Sequence, residues 1–498
     1  MNVQTPNALK PFVRGEMHLF HSADEAFQEI QRIYKESGDQ IRGAFEQLGA
    51  DTVTITTLED ATYPYVAFQV PPSCLNIDAR KAYGAVLEPG LYGTTVTRPT
   101  LFAKYYLEQM SLLIEHHQCP IWVGKSTWPI PLPFVDEAPL THLREDELWK
   151  LPVDFALPDL TKVDDTIANG TYDPGPQGPR PLALFTAERV DYSLHRLHHY
   201  CGTASEHFQN FILLTNYQRY IDHFIQFGLS ALEHGDEYTE LVEPGDLVIH
   251  REDVLKGGVA FHKASRLAHL PQMPAYHLKR PDGNGITFVN IGVGPTNAKT
   301  ITDHLAVLRP HCWIMLGHCA GFRRSQHLGD YVLAHGYVRD DHVLDEDVPL
   351  WIPTPPIAEV QMALQEAVVR VTGLSGIDLK TRMRTGTVVS SDNRNWELRS
   401  TQLFKHYNQS RAIAMDLESA TLATNGFRFR VPYGTLLCVS DKPLHGELKL
   451  RGMASQFYTE RVNQHMEIGL ETIRILREGG SDLLHSRKLR GFDEPPFR

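Results

Sequence analysis

Two carboxylates stand where predicted strands end, and both could take part in breaking a bond. Glu418 follows the apolar run 412–417 and precedes the small residues of a predicted helix, whereas Asp441 closes the run 434–440. The two oxygens of Glu418 could bind two adjacent hydroxyls, and Asp441 could act as a general acid. Each residue has an equally good structural interpretation, because an acid is stabilised in the first turn of a helix or can cap a loop. Residue type and position therefore leave both roles open.

A glycine-rich segment, Asn290–Lys299, carries a second possible binding function. A predicted strand runs here into Gly292 and Gly294 and then into a predicted helix, so backbone N–H groups could face an anion. The segment lacks the third glycine of a dinucleotide-binding fingerprint, and the next strand ends in Gly317-His318 rather than in an acid. NAD binding is therefore disfavoured. The glycines serve either a tight turn or the close approach of a sugar or phosphate.

Other catalytic signatures are weak or missing. His195, His198 and His199 could share a helical face, but no HExxH pattern accompanies them. Chance clustering among 25 histidines explains them better, so we expect no metal site. Neither Gly-x-Ser-x-Gly nor GxxxxGK[ST] occurs, which removes the signatures of serine hydrolases and P-loop proteins.

Charge and composition restrict the possible partners. The 498 residues include 48 Lys and Arg against 60 Asp and Glu, which gives a formal net charge of −12. A general nucleic-acid or membrane surface is therefore disfavoured, although a local basic pocket for a small anion is compatible with this charge. The six cysteines show no CxxC spacing, and neither a signal peptide nor an apolar run of about 20 residues is visible. We expect a cytoplasmic protein.

The chain divides into two predicted domains at the Pro- and Gly-rich stretch 173–181. Residues 1–180 predict an α+β domain, with helices at 24–48 and 100–117 and strands at 51–57 and 64–70. Residues 181–498 predict an α/β/α domain, because continuous apolar runs suit strands that are buried on both faces. Its strands are expected at 211–215, 286–294, 312–318, 331–338, 385–391, 412–418 and 434–441, and its helices at 217–232, 296–308, 357–372 and 455–477. In such a sheet the chemistry lies beyond the carboxyl ends of the strands.

In their order and spacing, the motifs of the C-terminal domain resemble the nucleoside phosphorylase/nucleosidase superfamily. These motifs are Gly292-Val-Gly294 with Asn297-Ala298, then Gly317-His-Cys-Ala-Gly321, Asp416-Leu-Glu-Ser-Ala420 and Ser440-Asp441. Nearly the whole chain resembles one branch of that superfamily, the AMP nucleosidases. The segments that carry this closer resemblance are 94–102, 189–193, 215–220, 290–295, 304–310, 333–342, 395–399, 441–446, 485–490 and 494–498.

The resemblance implies a fold, a reaction and an assembly. The fold is a mixed central sheet in the catalytic domain, preceded by a smaller regulatory domain, and the assembly is a homohexamer built as a trimer of dimers. The reaction is hydrolysis of AMP to adenine and ribose 5-phosphate in purine salvage, activated by Mg-ATP, inhibited by phosphate and without a cofactor in the chemistry. Glu418 would bind the ribose hydroxyls, and Asp441 would protonate the purine. Further substrate contacts are implied at Asn216, Arg219, Gly292, Gly294, His318, Trp396 and Met415.

Two positions depart from those relatives that use orthophosphate. Met315 stands where they keep a phosphate-binding arginine, and His318 replaces the serine of the next turn, which favours water as the nucleophile. Arg219 falls at their second phosphate-binding position, so we expect it to hold the 5′-phosphate, a surface salt bridge being the alternative. Trp396 could pack against the base or only in the core. His318 and Asn216 are the candidates for activating the water.

Two other functions stay open on the sequence alone. One is a purine nucleoside phosphorylase that uses orthophosphate, and the other is a non-catalytic nucleotide sensor with the same pocket. The presence of both acids argues against the sensor. In the N-terminal domain, a cluster of Thr94, Thr95, Thr97 and Arg98 could bind phosphate or simply form a strand edge.

Overall fold

The structure is a computed structural model that describes residues 5–46, 58, 60–75, 77–78, 80–81, 83–135, 149, 151–176, 178–257, 270–447, 454–480, 484 and 486–498. The chain folds into two compact units: unit 1 comprises Met1–His195 with Arg490–Arg498, and unit 2 comprises Arg196–Leu489. This division differs from the predicted boundary after residue 180. Residues 181–195 and the C-terminal tail group with the N-terminal part of the chain.

Unit 1 is built on a five-stranded sheet, in agreement with the predicted α+β class. Its strands are β1 (Val13–Phe20), β2 (Thr62–Val70), β3 (Gly90–Thr95), β4 (Ile121–Pro129) and β5 (Arg180–Pro181). They lie in the order β1-β4-β2-β3-β5, antiparallel except for the β3–β5 pair. The helices are α1 (Ala23–Glu46), α2 (Ala103–His117), α3 (Leu151–Asp154) and α4 (Thr166–Asn169). The strand predicted at 51–57 lies outside the described residues.

Unit 2 contains a mixed sheet of ten strands. They are β6 (Phe211–Thr215), β7 (Glu240–Glu243), β8 (Leu247–His250), β9 (Ala275–Lys279), β10 (Ile286–Asn290), β11 (Cys312–Gly321), β12 (Tyr331–Asp340), β13 (Met383–Ser391), β14 (Ala414–Asp416) and β15 (Tyr433–Asp441). Their order is β14-β13-β12-β15-β11-β6-β10-β9-β7-β8, and an additional β14–β11 pairing closes the first five into a ring. The predicted mixed central sheet is therefore confirmed.

Nine further helices are described after β5. They are α5 (Ala187–Cys201), which crosses the division between the units, α6 (Gln218–His234), α7 (Arg251–Gly257), α8 (Pro295–Leu305), α9 (Ala358–Thr372), α10 (Gly376–Arg382), α11 (Ser400–Ser410), α12 (Ser419–Phe429) and α13 (Ala454–Gly479). The helices predicted at 217–232, 296–308, 357–372 and 455–477 correspond to α6, α8, α9 and α13. No helix within the described ranges combines the length and the apolar character that a membrane span needs.

Burial and strand direction together determine which residues meet at one edge of the sheet. Every residue of β6 is buried, and the first five residues of β11 are at most 1% exposed. Strands β10, β6, β11 and β15 run parallel as neighbours, so their carboxyl ends reach the same edge of the sheet. Asn216, His318 and Asp441 stand at or near those ends.

Candidate active site

A cavity of about 260 Å³ lies at this edge of the sheet in unit 2. It is close to the lower end of the roughly 300–1,000 Å³ that is typical of small-molecule sites. Segments that are far apart in sequence supply its walls. The lining residues are Asn216, Tyr217, Val293, His318, Cys319, Ala320, Arg394, Trp396, Met415, Asp416, Leu417, Glu418, Ser440 and Asp441. The structure therefore brings both predicted acids into one cavity.

Glu418 is fully enclosed at the N-terminus of α12, with 1% of its surface exposed. Its Oε1 accepts a hydrogen bond of 2.7 Å from the backbone N–H of Gly294, and the Asn216 side chain also bonds to the carboxylate. Gly294 has φ +114° and ψ 156°, a region that essentially only glycine occupies. The predicted anion-facing amide is thus present, but the anion that it faces is the protein's own carboxylate. Neither Gly292 nor Gly294 is among the lining residues, whereas Val293 between them is.

Asp416 forms a buried carboxylate pair with Glu418. It accepts hydrogen bonds from Ser390 Oγ at 2.6 Å, from the Ser419 N–H at 3.0 Å and from the Ser419 hydroxyl. Burial raises the pKa of Asp416, although these hydrogen bonds act to lower it. Burial also raises the pKa of Glu418, and the nearby charge of Asp416 raises it further. The pair therefore retains a proton to higher pH than two solvated carboxylates would.

Asp441 ends β15 and reaches the same cavity from another side. Its Oδ1 accepts a hydrogen bond of 2.5 Å from Ser440 Oγ. The following residue, Lys442, is buried, and its ammonium pairs with Glu447 Oε1 at 2.7 Å and donates to the Arg324 carbonyl at 3.3 Å. These contacts fix the backbone directly after the proposed acid.

Trp396 and Met415 both line the cavity and both pack in an apolar cluster. Trp396 lines the cavity, yet it is 4% exposed and packs edge-on against Phe322 and Tyr407, with ring centroids 5.8 and 6.2 Å apart. Met415 belongs to the same apolar cluster and also lines the cavity. The cluster therefore holds one apolar wall of the cavity in place.

His318 lines the cavity, and aromatic side chains surround its ring. The ring lies 4.3 Å from that of Tyr217, and Nε2 is 3.3 Å from the Tyr220 hydroxyl, which is 2.7 Å from His465 Nδ1. The Nδ1 atom of His318 is buried. Burial lowers the pKa of His465 to about 3, so that histidine stays neutral. That His318 activates the water stays a prediction.

The arginine found at the cavity differs from the one expected. Arg219 is exposed in the first turn of α6 and is not a lining residue. Met315 is buried with its Cε beneath Gly317, so this position presents no cation to the cavity. Arg394, which the sequence reasoning missed, lines the cavity instead. An exposed arginine on a loop carries no sequence signal that separates it from other surface arginines.

The threonine and arginine cluster of unit 1 binds carboxylates in this structure. Thr95 Oγ1 donates to Glu188 Oε2 at 2.9 Å, and Thr97 Oγ1 donates to Asp191 Oδ2 at 2.8 Å. Arg98 Nε lies 3.5 Å from Asp191 Oδ1. The hydroxyl and guanidinium donors of this cluster are thus bound to the protein's own carboxyl groups, which a phosphate would have to replace.

Comparison with known proteins agrees with the fold. A sequence model described as "Phosphorylase superfamily" matches residues 265–474, and one described as "Bacterial AMP nucleoside phosphorylase N-terminus" matches residues 25–179. The catalytic half of the chain is thus a phosphorylase-superfamily domain, as its mixed sheet suggests. The AMP nucleosidase of Escherichia coli K12 is 47% identical over 483 residues, which cover 95% of this chain and 98% of that protein. The chain belongs to the AMP nucleosidase family, which confirms the family expected from the sequence.

More distant similarities cover a smaller share of this chain. The 5′-methylthioadenosine/S-adenosylhomocysteine nucleosidase of Desulfotalea psychrophila is 22% identical over 206 residues, 41% of this chain and 86% of that protein. Among solved structures, the AMP nucleosidase of Bacteroides thetaiotaomicron aligns with a TM-score of 0.42 and 26% identity, covering 58% of this chain and 98% of that one. The purine nucleoside phosphorylase of Toxoplasma gondii gives a TM-score of 0.41 and 15% identity, covering 56% and 98%.

Proposed function

We propose that this chain is an enzyme that hydrolyses the N-glycosidic bond of AMP, with adenine and ribose 5-phosphate as products. The observation that carries the proposal is that Glu418, Asp441 and Trp396 line one cavity in a member of the AMP nucleosidase family. Asp441 can protonate the base, Glu418 can bind the sugar, and the aromatic ring of Trp396 can pack against a purine. The reaction consumes one water for each AMP.

On the purine side, Asp441 donates a proton to N7 of adenine while the electron pair of the N9–C1′ bond leaves with the base. The departing adenine is then neutral, which makes it a far better leaving group than its anion. This role is supported by the position of Asp441 in the cavity wall and by the Ser440 hydrogen bond that orients its carboxyl group. General acid catalysis of this kind contributes typically 10²–10⁴-fold.

On the sugar side, Glu418 binds the 2′- and 3′-hydroxyls and offers negative charge as the ribose becomes cationic. Its orientation by Gly294 and Asn216 supports this role, because a carboxylate that is already held in place stabilises developing charge without reorganising. Water then adds to C1′. The proton that the water releases replaces, over the catalytic cycle, the proton that Asp441 gave to the base.

The proposal extends to assembly, regulation and location. We propose a cytoplasmic homohexamer in purine salvage, in which Mg-ATP activates and phosphate inhibits, and in which no cofactor takes part in the chemistry. The domain proposed for regulation is residues 1–180 and the catalytic domain is 181–498; the match of residues 25–179 to a model specific for this N-terminus supports a distinct domain. The six free thiols fit a reducing compartment.

A single assay tests the proposed reaction. Adenine release from AMP is measured with purified full-length protein, with and without Mg-ATP and with and without orthophosphate. Formation of adenine and ribose 5-phosphate without added orthophosphate supports the proposal. A strict requirement for orthophosphate would identify a phosphorylase, and AMP binding without adenine release would identify a sensor.

A further inference from the structure

The cavity has an uneven distribution of charge. Asp416, Glu418 and Asp441 contribute carboxylates to its wall. Among the lining residues that the structure describes, Arg394 alone carries a permanent positive charge. A nucleotide with a phosphate dianion would meet mostly negative groups in this cavity, except at Arg394.

The guanidinium of Arg394 is available for a ligand. Within the described part of the chain it forms no hydrogen bond and no ion pair. By contrast, Arg399 on the same segment donates from Nε to Gln402 Oε1 at 3.3 Å. Arg394 therefore keeps its planar set of donors for a partner in the cavity.

The backbone that carries Arg394 is anchored on both sides. Before it, the Asn393 N–H donates to Ser391 Oγ at 3.2 Å, at the end of β13. After it, the Asn395 N–H donates to Asn393 Oδ1 at 3.0 Å, and Trp396 is buried in its aromatic cluster. The side chain thus starts from a fixed point beside the aromatic wall that is proposed for the base.

We propose that Arg394 binds the 5′-phosphate of the substrate and makes the site selective for nucleoside 5′-monophosphates over nucleosides. The proposal rests on the proposed function, since it assigns the phosphate subsite of the same cavity. A guanidinium can form two parallel hydrogen bonds to phosphate oxygens, which supplies orientation as well as charge. The exposed Arg219, which the sequence favoured for this role, is not a lining residue.

The test compares AMP with adenosine in wild type and Arg394→Ala. The value of kcat/KM for AMP is expected to fall about 10- to 100-fold, the effect of losing a charge-assisted hydrogen bond, while the value for adenosine stays within about twofold. Arg394→Lys keeps the charge but loses the paired geometry, so it should fall between wild type and the alanine variant. The KM for AMP should also depend less on ionic strength in the alanine variant.

Arg399→Ala, a neighbouring arginine that does not line the cavity, is the matched control and should leave both substrates unaffected. Equal losses with AMP and adenosine in Arg394→Ala would mean that Arg394 contacts the base or shapes the wall, and would overturn the proposal. A selective loss in Arg219→Ala but not in Arg394→Ala would overturn it in favour of Arg219.

Binding measurements distinguish a failure of the proposed function from a failure of the proposed phosphate subsite. If the wild-type protein releases no adenine from AMP, calorimetric binding of AMP and adenosine to the same variants tests the phosphate subsite without any turnover. Weaker binding of AMP alone in Arg394→Ala supports the subsite, and unchanged AMP binding overturns it.

Discussion

The proposed acid, Asp441, is held by the residues that follow and precede it. Ser440 orients the carboxyl group, and the ion pair of the buried Lys442 with the exposed Glu447 fixes the next step of the backbone. A group that is positioned before the substrate arrives contributes more to the transition state than one that must be ordered at each turnover. This fixed position fits the role that we propose for Asp441.

Asp441→Asn should lower kcat for adenine release by about 10²–10⁴-fold while AMP still binds, because asparagine has a similar shape but no proton to donate. Steady-state kinetics and equilibrium AMP binding check this result. Asp378→Asn, an exposed acid on α10, is the control and should retain wild-type activity. Full activity in Asp441→Asn would remove Asp441 from the mechanism.

The pair of Asp416 and Glu418 predicts a shift in the pH profile. The Asp416 charge helps to raise the pKa of Glu418, so Asp416→Asn should lower that pKa. In the proposed mechanism the ionised form of Glu418 stabilises the ribose cation, so activity should fall when Glu418 is protonated. The acidic limb of the kcat/KM profile should therefore move to lower pH in Asp416→Asn. An acidic limb that stays in place would mean that a different group controls it.

At the scale of single residues, the sequence is informative where a polar side chain ends an apolar strand. Glu418 and Asp441 were found for that reason, and both line the cavity. Asp416 was part of a motif, but its coupling to Glu418 depends on a turn that brings the two carboxylates together. Arg394, the proposed phosphate ligand, could not be found, because only the fold places it in the wall of the cavity.

The N-terminal part of α5 carries two carboxyl groups, those of Glu188 and Asp191, that are buried in unit 1. Glu188 accepts from Thr95, and Asp191 accepts from Tyr63 Oη at 2.9 Å as well as from Thr97. Burial raises the pKa of Glu188 to about 7 and that of Asp191 to about 6. These acids are therefore more stable protonated, and ionising them in the folded unit costs free energy.

This burial predicts how stability depends on pH. The folded-state pKa of Glu188 lies above its unfolded value, so its contribution to stability is present at low pH and is lost as pH rises through about 7. Glu188→Gln should raise the free energy of unfolding by on the order of 2–3 kcal/mol at pH 8 and change it little at pH 5. Urea unfolding of the full chain at both pH values measures the difference.

Glu16→Gln, on the exposed part of β1, is the matched control and should show no such dependence. A Glu188→Gln effect that is equal at pH 5 and pH 8 would show that the buried carboxyl does not titrate in this range.

At the scale of elements, the predicted strands of unit 2 match the observed ones where apolar runs are continuous. β6, β11 and β15 are buried along nearly their whole length, which is why composition alone identifies them. The antiparallel strands β7, β8 and β9 were missed, because their runs are short and partly exposed or interrupted by polar residues. Strand pairing, including the contact of β14 with β11 that closes the ring, has no signal in a single sequence.

At the scale of the whole molecule, the C-terminal tail is an integral part of unit 1. Phe497 is 1% exposed and packs edge-on against Tyr105 with centroids 6.1 Å apart. The Gly84 N–H donates to the Pro496 carbonyl at 2.7 Å, and the Arg498 N–H donates to Gln109 Oε1 at 2.8 Å. The Pro- and Gly-rich stretch suggested a simple order of two domains, and no sequence pattern indicated that the tail returns to the first.

Phe497→Ala should lower the free energy of unfolding of unit 1 by about 3–5 kcal/mol, the cost of truncating a buried aromatic side chain. Urea unfolding followed by circular dichroism measures the loss. Phe492→Ala is the matched control, because that ring is 92% exposed, and its effect should stay within about 0.5 kcal/mol. Similar small effects of both variants would show that the tail contributes little to unit 1.

The division of the chain also sets an order of events during synthesis. Unit 1 begins before unit 2 and is completed by Arg490–Arg498, which the ribosome makes after the whole of unit 2. Unit 1 therefore lacks the contacts of Pro496 and Phe497 until all of the catalytic unit has been translated. A nascent chain can therefore fold the catalytic unit before unit 1 receives Arg490–Arg498.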